Sequence, residues 1–201
     1  MATSDVILKP ITAKQAVKKA RELIVQERSG EQLGLKTRYD KLNRAMRKYF
    51  RFNNVNLLAG LSGSAKSYFL NVLTDDFLDT GEEGINKDIN FKVVVVHFCF
   101  EMSSANEVLR ACAKDLGMSY NYLLSSQSNK GEEDYNRLTD EELAQVDIWM
   151  EYYSSKNILF YEISSNVIHI YNTVKALYYH YNTLNDKGER VGTIYNFVVN
   201  L

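Results

Sequence analysis

Residues 92–100 read Lys-Val-Val-Val-Val-His-Phe-Cys-Phe, and this run leaves the chain few ways to fold. A continuous apolar, β-branched stretch has no polar face to give to water, which is what a parallel strand buried on both sides looks like. It predicts a central strand. Such a strand needs helices over both faces of its sheet, so the rest of the chain should alternate helix and strand.

That alternation is present. After a lead over residues 1–10 that reads as flexible, Thr12 and Gln15 have capping-box spacing. Ala16, Val17, Ala20 and Ile24 then form one apolar stripe, which Ser29 and Gly30 end. Lys14, Lys18, Lys19 and Arg21 lie away from the stripe, so this helix is either a solvated element of its own domain or one that packs on a neighbouring subunit. A second, short helix is expected after Gly34, with Tyr39, Leu42, Met46 and Tyr49 on one side. Arg44, Arg47, Lys48 and Arg51 make the densest cationic cluster, either a DNA or phosphate contact or a solvated surface.

Beyond the central run, Ser104 and Glu107 have capping spacing for a helix through Leu109, Cys112 and Leu116 to Gly117. Residues 125–131 read as an exposed loop. Thr139 and Glu142 cap a helix with an inner face of Leu143, Val146, Met150 and Tyr153. Residues 157–161 form the next strand. Ser164 or Ser165 starts a long helix with Val167, Ile170, Tyr171, Val174, Leu177, Tyr178 and Tyr181 on one face. A turn at 185–188 leads to a last strand over 193–201. The order β, α, β, α, α, β, α, β predicts a mostly parallel sheet with helices on its faces.

A chain of 201 residues can bury one α/β core, and 45% hydrophobic with 24% charged residues is the globular norm. No window approaches the ~18 apolar residues of a membrane span, and no secretion leader is visible, so a cytosolic protein is expected. A net charge of −1 supplies no global attraction to nucleic acid. Cys99 and Cys112 lack metal-ligand spacing and read as reduced core residues, while His97 reads as a hydrogen-bonded core residue.

The chemistry points to residues 54–67. An apolar run (Val55, Leu57, Leu58) leads to Gly60, Leu61, Ser62, Gly63, Ser64, Ala65, Lys66 and Ser67, and then to a segment that can continue as a helix. Strand, small-residue loop and helix form the P-loop pattern, in which backbone N–H groups turn inward around phosphate oxygens. Lys66 would reach the outer phosphates, Ser67 would offer its hydroxyl to Mg²⁺, and the helix would point its positive end at the anion. Ala65 stands where the pattern has glycine; a left-handed backbone there would cost ~1–2 kcal/mol. Glu101, at the end of the central strand, could orient and deprotonate an attacking water, with Lys66 taking up developing charge. The final run, residues 194–201, has no Asp or Glu to hold Mg²⁺, and Asn196 and Asn200 are poor substitutes.

This order of motifs resembles the RecA-type motor domain of DnaB-like replicative helicases, phage versions included, over roughly residues 11–201. Gly34-Leu-Lys-Thr-Arg-Tyr-Asp-Lys-Leu42 is similar to the family's lead-in to its first core strand. Residues 60–67 match its Walker A loop apart from Ala65. Phe98-Cys-Phe-Glu101-Met102-Ser103 is similar to the signature whose glutamate is the family's catalytic base, and Arg110 falls where the family places an arginine. The resemblance implies ATP with Mg²⁺, a hexameric ring acting on single-stranded DNA, and a bacterial or phage-infected host cytosol. It also implies a linker helix within residues 1–30 that docks on the adjacent protomer. Residues 31–201 would then be the front part of the motor domain, ending before the Walker B aspartate. A RecA-type ATPase acting on protein partners and a catalytically incomplete nucleotide-binding assembly module are the alternatives.

Overall fold

The computed structural model describes residues 11–52, 54–124, 138–162, 166–182 and 195–200. The expected lead, the loop at 125–131 and the turn at 185–188 lie outside the described residues. Helix α1 (Ala13–Ser29) is followed by β1 (Gly34–Leu35), α2 (Asp40–Ala45), β2 (Phe50–Arg51) and α3 (Lys66–Leu78). Next come β3 (Lys92–Phe98), α4 (Ser104–Leu116), α5 (Tyr120–Leu123) and α6 (Asp140–Ser154). Strand β4 (Ile158–Tyr161), α7 (Val167–Tyr181) and β5 (Tyr195–Asn200) complete the order.

The valine run is the middle of a three-stranded sheet ordered β4-β3-β5, parallel throughout. Val95 sits opposite Ile158 on one side and Val198 on the other. Because side chains alternate along a strand, Val93 and Val95 face Leu73 and Phe77 of α3, while Val94, Val96 and Phe98 face Ile170, Val174, Leu177 and Tyr181 of α7. Each buried valine stabilises this arrangement by roughly 1.5–3 kcal/mol. The chain is an α/β protein with helices on both faces of a parallel sheet. The small antiparallel pair β1–β2 brings Leu35, Phe50 and Phe52 onto the α3 side. A separate cluster joins Ala111 and Cys112 of α4 to Val146 and Trp149 of α6.

Capping signals located both ends of α1, the start of α6 and the end of α4. Thr12 and Gln15 form the expected capping box of α1, Thr139 and Glu142 that of α6, and Gly117 closes α4 in a left-handed conformation. Four expectations are corrected. The cap of α4 is Ser103, not Ser104; the Ser104 N–H donates to Glu162 Oε1 at 2.6 Å instead. On α6 the inner face holds Trp149, and Leu143 is exposed. On α7 the cap is Asn166, and Val167 and Tyr171 face outward. Helix α2 stops at Ala45 because Arg47 and Lys48 take positive φ, so Tyr49 is buried from a turn rather than from a helix.

The largest departure concerns residues 54–61. They form no strand, and Val55 and Leu57 are 99% and 90% exposed. A parallel strand exists only through its ladder partner, and here the outer edge of β5 pairs with no described strand.

Candidate functional site

Helix α3 sets the direction of the site. Its Thr74 Oγ1 lies 3.3 Å from His97 Nε2, while Phe77 reaches the cluster of Val93 and Val95, so α3 runs against β3. The start of α3 therefore lies toward the carboxyl end of the sheet, where ligands of open parallel sheets bind.

The loop before α3 curls back on itself. Ser64 N–H donates to the Leu61 carbonyl at 3.2 Å, and Lys66 Nζ donates to the carbonyls of Gly60 at 3.0 Å and Leu61 at 2.8 Å. A Cβ on Gly60 would meet the Ser64 hydroxyl at 2.5 Å, so a larger residue there would have to turn that side chain away. Gly63 takes φ 77°. Ala65, the residue capping α3, sits at φ 60°, ψ 27°, which is the strained left-handed conformation anticipated for the position. Ala65 supplies no side-chain hydrogen bond to the helix. The first-turn N–H groups of α3 thus have no capping side chain, which is the arrangement that favours an anion.

Glu101 is exposed in the bend beyond β3, also toward the carboxyl end of the sheet. Arg110 is exposed on α4, its guanidinium 5.9 Å from the Tyr120 ring centre. The geometry thus joins Gly60, Leu61, Ser64 and Lys66 in one loop and sets Arg110 against Tyr120. Of the cationic cluster, Arg51 and Lys48 pair with Glu27 of α1, whose carboxylate also accepts from the Tyr49 hydroxyl at 3.1 Å.

Asn71, which motif reading passed over, and Glu107 face each other between the loop helix and its neighbour. Asn71, buried one turn beyond Ser67, lies near enough to Glu107 of α4 to favour its charged form. Burial raises the Glu107 carboxyl above its usual range, against the opposing pull of Arg110 and Asn71. In the sequence Glu107 has only the spacing of a capping partner of Ser104; in the structure the cap is Ser103, bonded to the Asn106 N–H, and the packing of α4 on α3 sets Glu107 near Asn71 instead.

At the other end of α3, Asp75 accepts from Lys114 and, at 2.7 Å, from Lys156; Lys114 also pairs with Asp115 at 2.7 Å, which accepts the Trp149 Nε1–H at 3.0 Å. Burial opposes ionisation of Asp75, but the two ammonium groups more than offset it and hold its carboxyl below the ordinary value. A cleft of about 480 Å³ opens here between Arg38, Asp79, Tyr152 and Asn157. Of its charges, Arg38, Asp75, Asp76, Asp115 and Lys156 are matched in ion pairs and Asp79 accepts the Ile85 N–H at 2.9 Å; the cleft lies at the opposite end of α3 from the loop.

His97 is buried, and desolvation pushes its pKa down to about 4, so the ring is neutral and structural. Both cysteines are free, with thiols pushed up by burial. Among the described residues no group of three His, Cys, Asp or Glu is placed to hold a metal. No helix among them is long and apolar enough to cross a membrane. No family model matches the chain, and no curated protein matches it at a significant level.

Proposed function

We propose that residues 60–67 bind the phosphates of ATP, and that the chain is the ATP-binding part of a ring-forming replicative DNA helicase. The observation carrying the nucleotide reading is the curled loop with left-handed Ala65 directly ahead of the uncapped first turn of the 13-residue helix α3. A phosphate group there meets backbone N–H donors, the positive end of the helix and the Lys66 ammonium. The Ser67 hydroxyl would offer one oxygen ligand to an Mg²⁺ brought in with the nucleotide. Bound Mg²⁺ would neutralise charge on the outer phosphates. Glu101 serves as the carboxylate that orients the attacking water, and Lys66 takes up charge as the terminal phosphoryl group leaves.

The helicase half of the reading rests on the resemblance and on α1. That helix has no buried residue, and its stripe of Val17 and Ile24 is exposed, as a helix that docks on a neighbouring protomer in a hexameric ring would be. Hydrolysis at such interfaces would drive movement along single-stranded DNA.

Calorimetry with Mg·ATP, together with phosphate release measured with and without single-stranded DNA, tests both halves. Binding weakened roughly 10–100-fold by Lys66→Ala and DNA-stimulated turnover abolished by Glu101→Gln are the expected results. Absence of Mg·ATP binding overturns the nucleotide reading; turnover indifferent to DNA overturns the helicase reading and favours a RecA-type ATPase acting on proteins. The strain at Ala65 gives one specific reason for a second reading, a nucleotide-binding assembly module without turnover, which predicts binding with no phosphate release.

A further inference from the structure

Glu101 lies in a bend that has little of its own to hold it. Residues 99–103 belong to no helix or strand, and Phe100 and Glu101 are exposed. Phe100, Glu101 and Met102 make no hydrogen bond among the described residues. What fixes the bend lies at its two ends. At the start, one residue past the pairing of Phe98 with Tyr161, the Cys99 N–H donates to the Tyr161 carbonyl at 2.8 Å. At the other end, where α4 begins, the Ser104 N–H donates to Glu162 Oε1 at 2.6 Å. Two consecutive residues leaving β4 therefore grip both ends of the segment that carries Glu101.

A carboxylate suits the second grip. The first-turn N–H groups of a helix lack partners within it and carry partial positive charge, so the 13-residue α4 favours an anion at its start. The Ser103 hydroxyl accepts the Asn106 N–H and Glu162 accepts that of Ser104, which divides the first turn between them. The contacts with Ser104 hold the Glu162 carboxyl below its ordinary range, so it is ionised at neutral pH. Glu101 makes no hydrogen bond or ion pair among the described residues. Of the two acids that follow β3 and β4, one is thus engaged by α4 and the other is left open to a water.

We propose that Glu162 is a positioning residue for Glu101: by accepting the Ser104 N–H it fixes the far end of the bend, so that Glu101 meets the attacking water in one place rather than over a range. This inference rests on the reading of Glu101 as the carboxylate that orients that water, and adds the residue that holds it. Precision of this kind acts on the reacting geometry alone, so loss of the tether should slow turnover and leave nucleotide binding as it was. One exposed, charge-assisted bond is at stake, which sets the effect at about 3–10-fold.

The test is phosphate release by the full chain at saturating Mg·ATP and single-stranded DNA, with affinity followed by calorimetry and the Ser104 amide by hydrogen exchange. Glu162→Ala should lower kcat about 3–10-fold, keep the Mg·ATP Kd within about twofold of wild type, and speed exchange of the Ser104 amide. Glu162→Gln, whose side-chain carbonyl still accepts that N–H, should lose no more than about twofold in kcat. Ser104→Pro removes the donor itself at the first helical position, where proline is favoured. Ser103, at φ −70° and ψ 155°, already has the backbone that precedes a proline. This variant should match Glu162→Ala, and the double variant should fall no further, whereas two unrelated losses of structure would add. Unchanged kcat in Glu162→Ala, a loss of affinity in place of turnover, equal losses in the Gln and Ala variants, or additive losses in the double variant each overturn the positioning role and leave the nucleotide reading standing. Mg·ATP binding without phosphate release removes the role of Glu101 and this inference with it. Absence of Mg·ATP binding overturns the nucleotide reading as well.

Discussion

The ammonium of Lys66 lies 3.0 Å from the carbonyl oxygen of Gly60, six residues earlier in the same loop. The residue best suited to neutralise a phosphate is thus held by the loop's own backbone, at an exposed site where such a bond is weak. An anion would replace a marginal contact with a charge-assisted one.

Lys66→Ala should lower Mg·ATP affinity roughly 10–100-fold, the effect of losing one hydrogen bond to a charged group. Stability should change by no more than about 0.5 kcal/mol, because the lost bonds are exposed. Calorimetry and urea unfolding of the two proteins check this. A large stability loss with unchanged affinity would assign Lys66 to structure instead.

Ala65→Gly should stabilise the chain. Left-handed backbone costs alanine ~1–2 kcal/mol, and part of the relief is offset by the greater freedom of glycine in the unfolded chain. A net gain of about 0.5–1 kcal/mol corresponds to a melting temperature roughly 1–4 °C higher. Nucleotide affinity should rise with it if the loop binds in the same conformation.

His97 makes stability depend on pH. Its pKa is about 4 folded, against 6.5 in its ordinary state. Between those values the unfolded chain binds a proton that the folded one refuses. Its contribution is complete above pH 6.5 and is lost as pH falls toward about 4, by roughly 3 kcal/mol in all. Urea unfolding across that range should show the loss in wild type and a smaller one in His97→Gln.

Asp75→Asn should cost roughly 2–3 kcal/mol at neutral pH, because Lys156 loses its partner and Lys114 keeps only Asp115. The folded Asp75 carboxyl titrates below its ordinary 3.8, so its stabilising effect is present above that value and disappears as pH falls through the lower, folded one. Wild type and variant should therefore converge in acid. Chemical denaturation at neutral and acidic pH gives the comparison.

Several of these sites could be read from the residues. The central strand followed from four valines and the starts of α1 and α6 from capping pairs, while the P-loop pattern marked Ala65 as the position where a left-handed backbone would cost energy. Each depends on a residue and its near neighbours, so local chemistry suffices. The exposure of Leu143 and the burial of Trp149 did not follow, since both positions satisfy a helical period and only the facing α4 chooses between them. The approach of Asn71 to Glu107 escaped for the same reason.

By itself, then, the order of residues determined the three strands of the parallel sheet, the helices α1, α3, α4, α6 and α7, the α/β class, and the small-residue loop that bends ahead of Lys66, because steric and hydrogen-bonding preferences act over a few residues. Tertiary structure alone decided that Val55 and Leu57 stay outside the sheet and that Lys66 folds back on Gly60. A strand is completed by a neighbour distant in sequence, and a buried charge by whichever element packs over it.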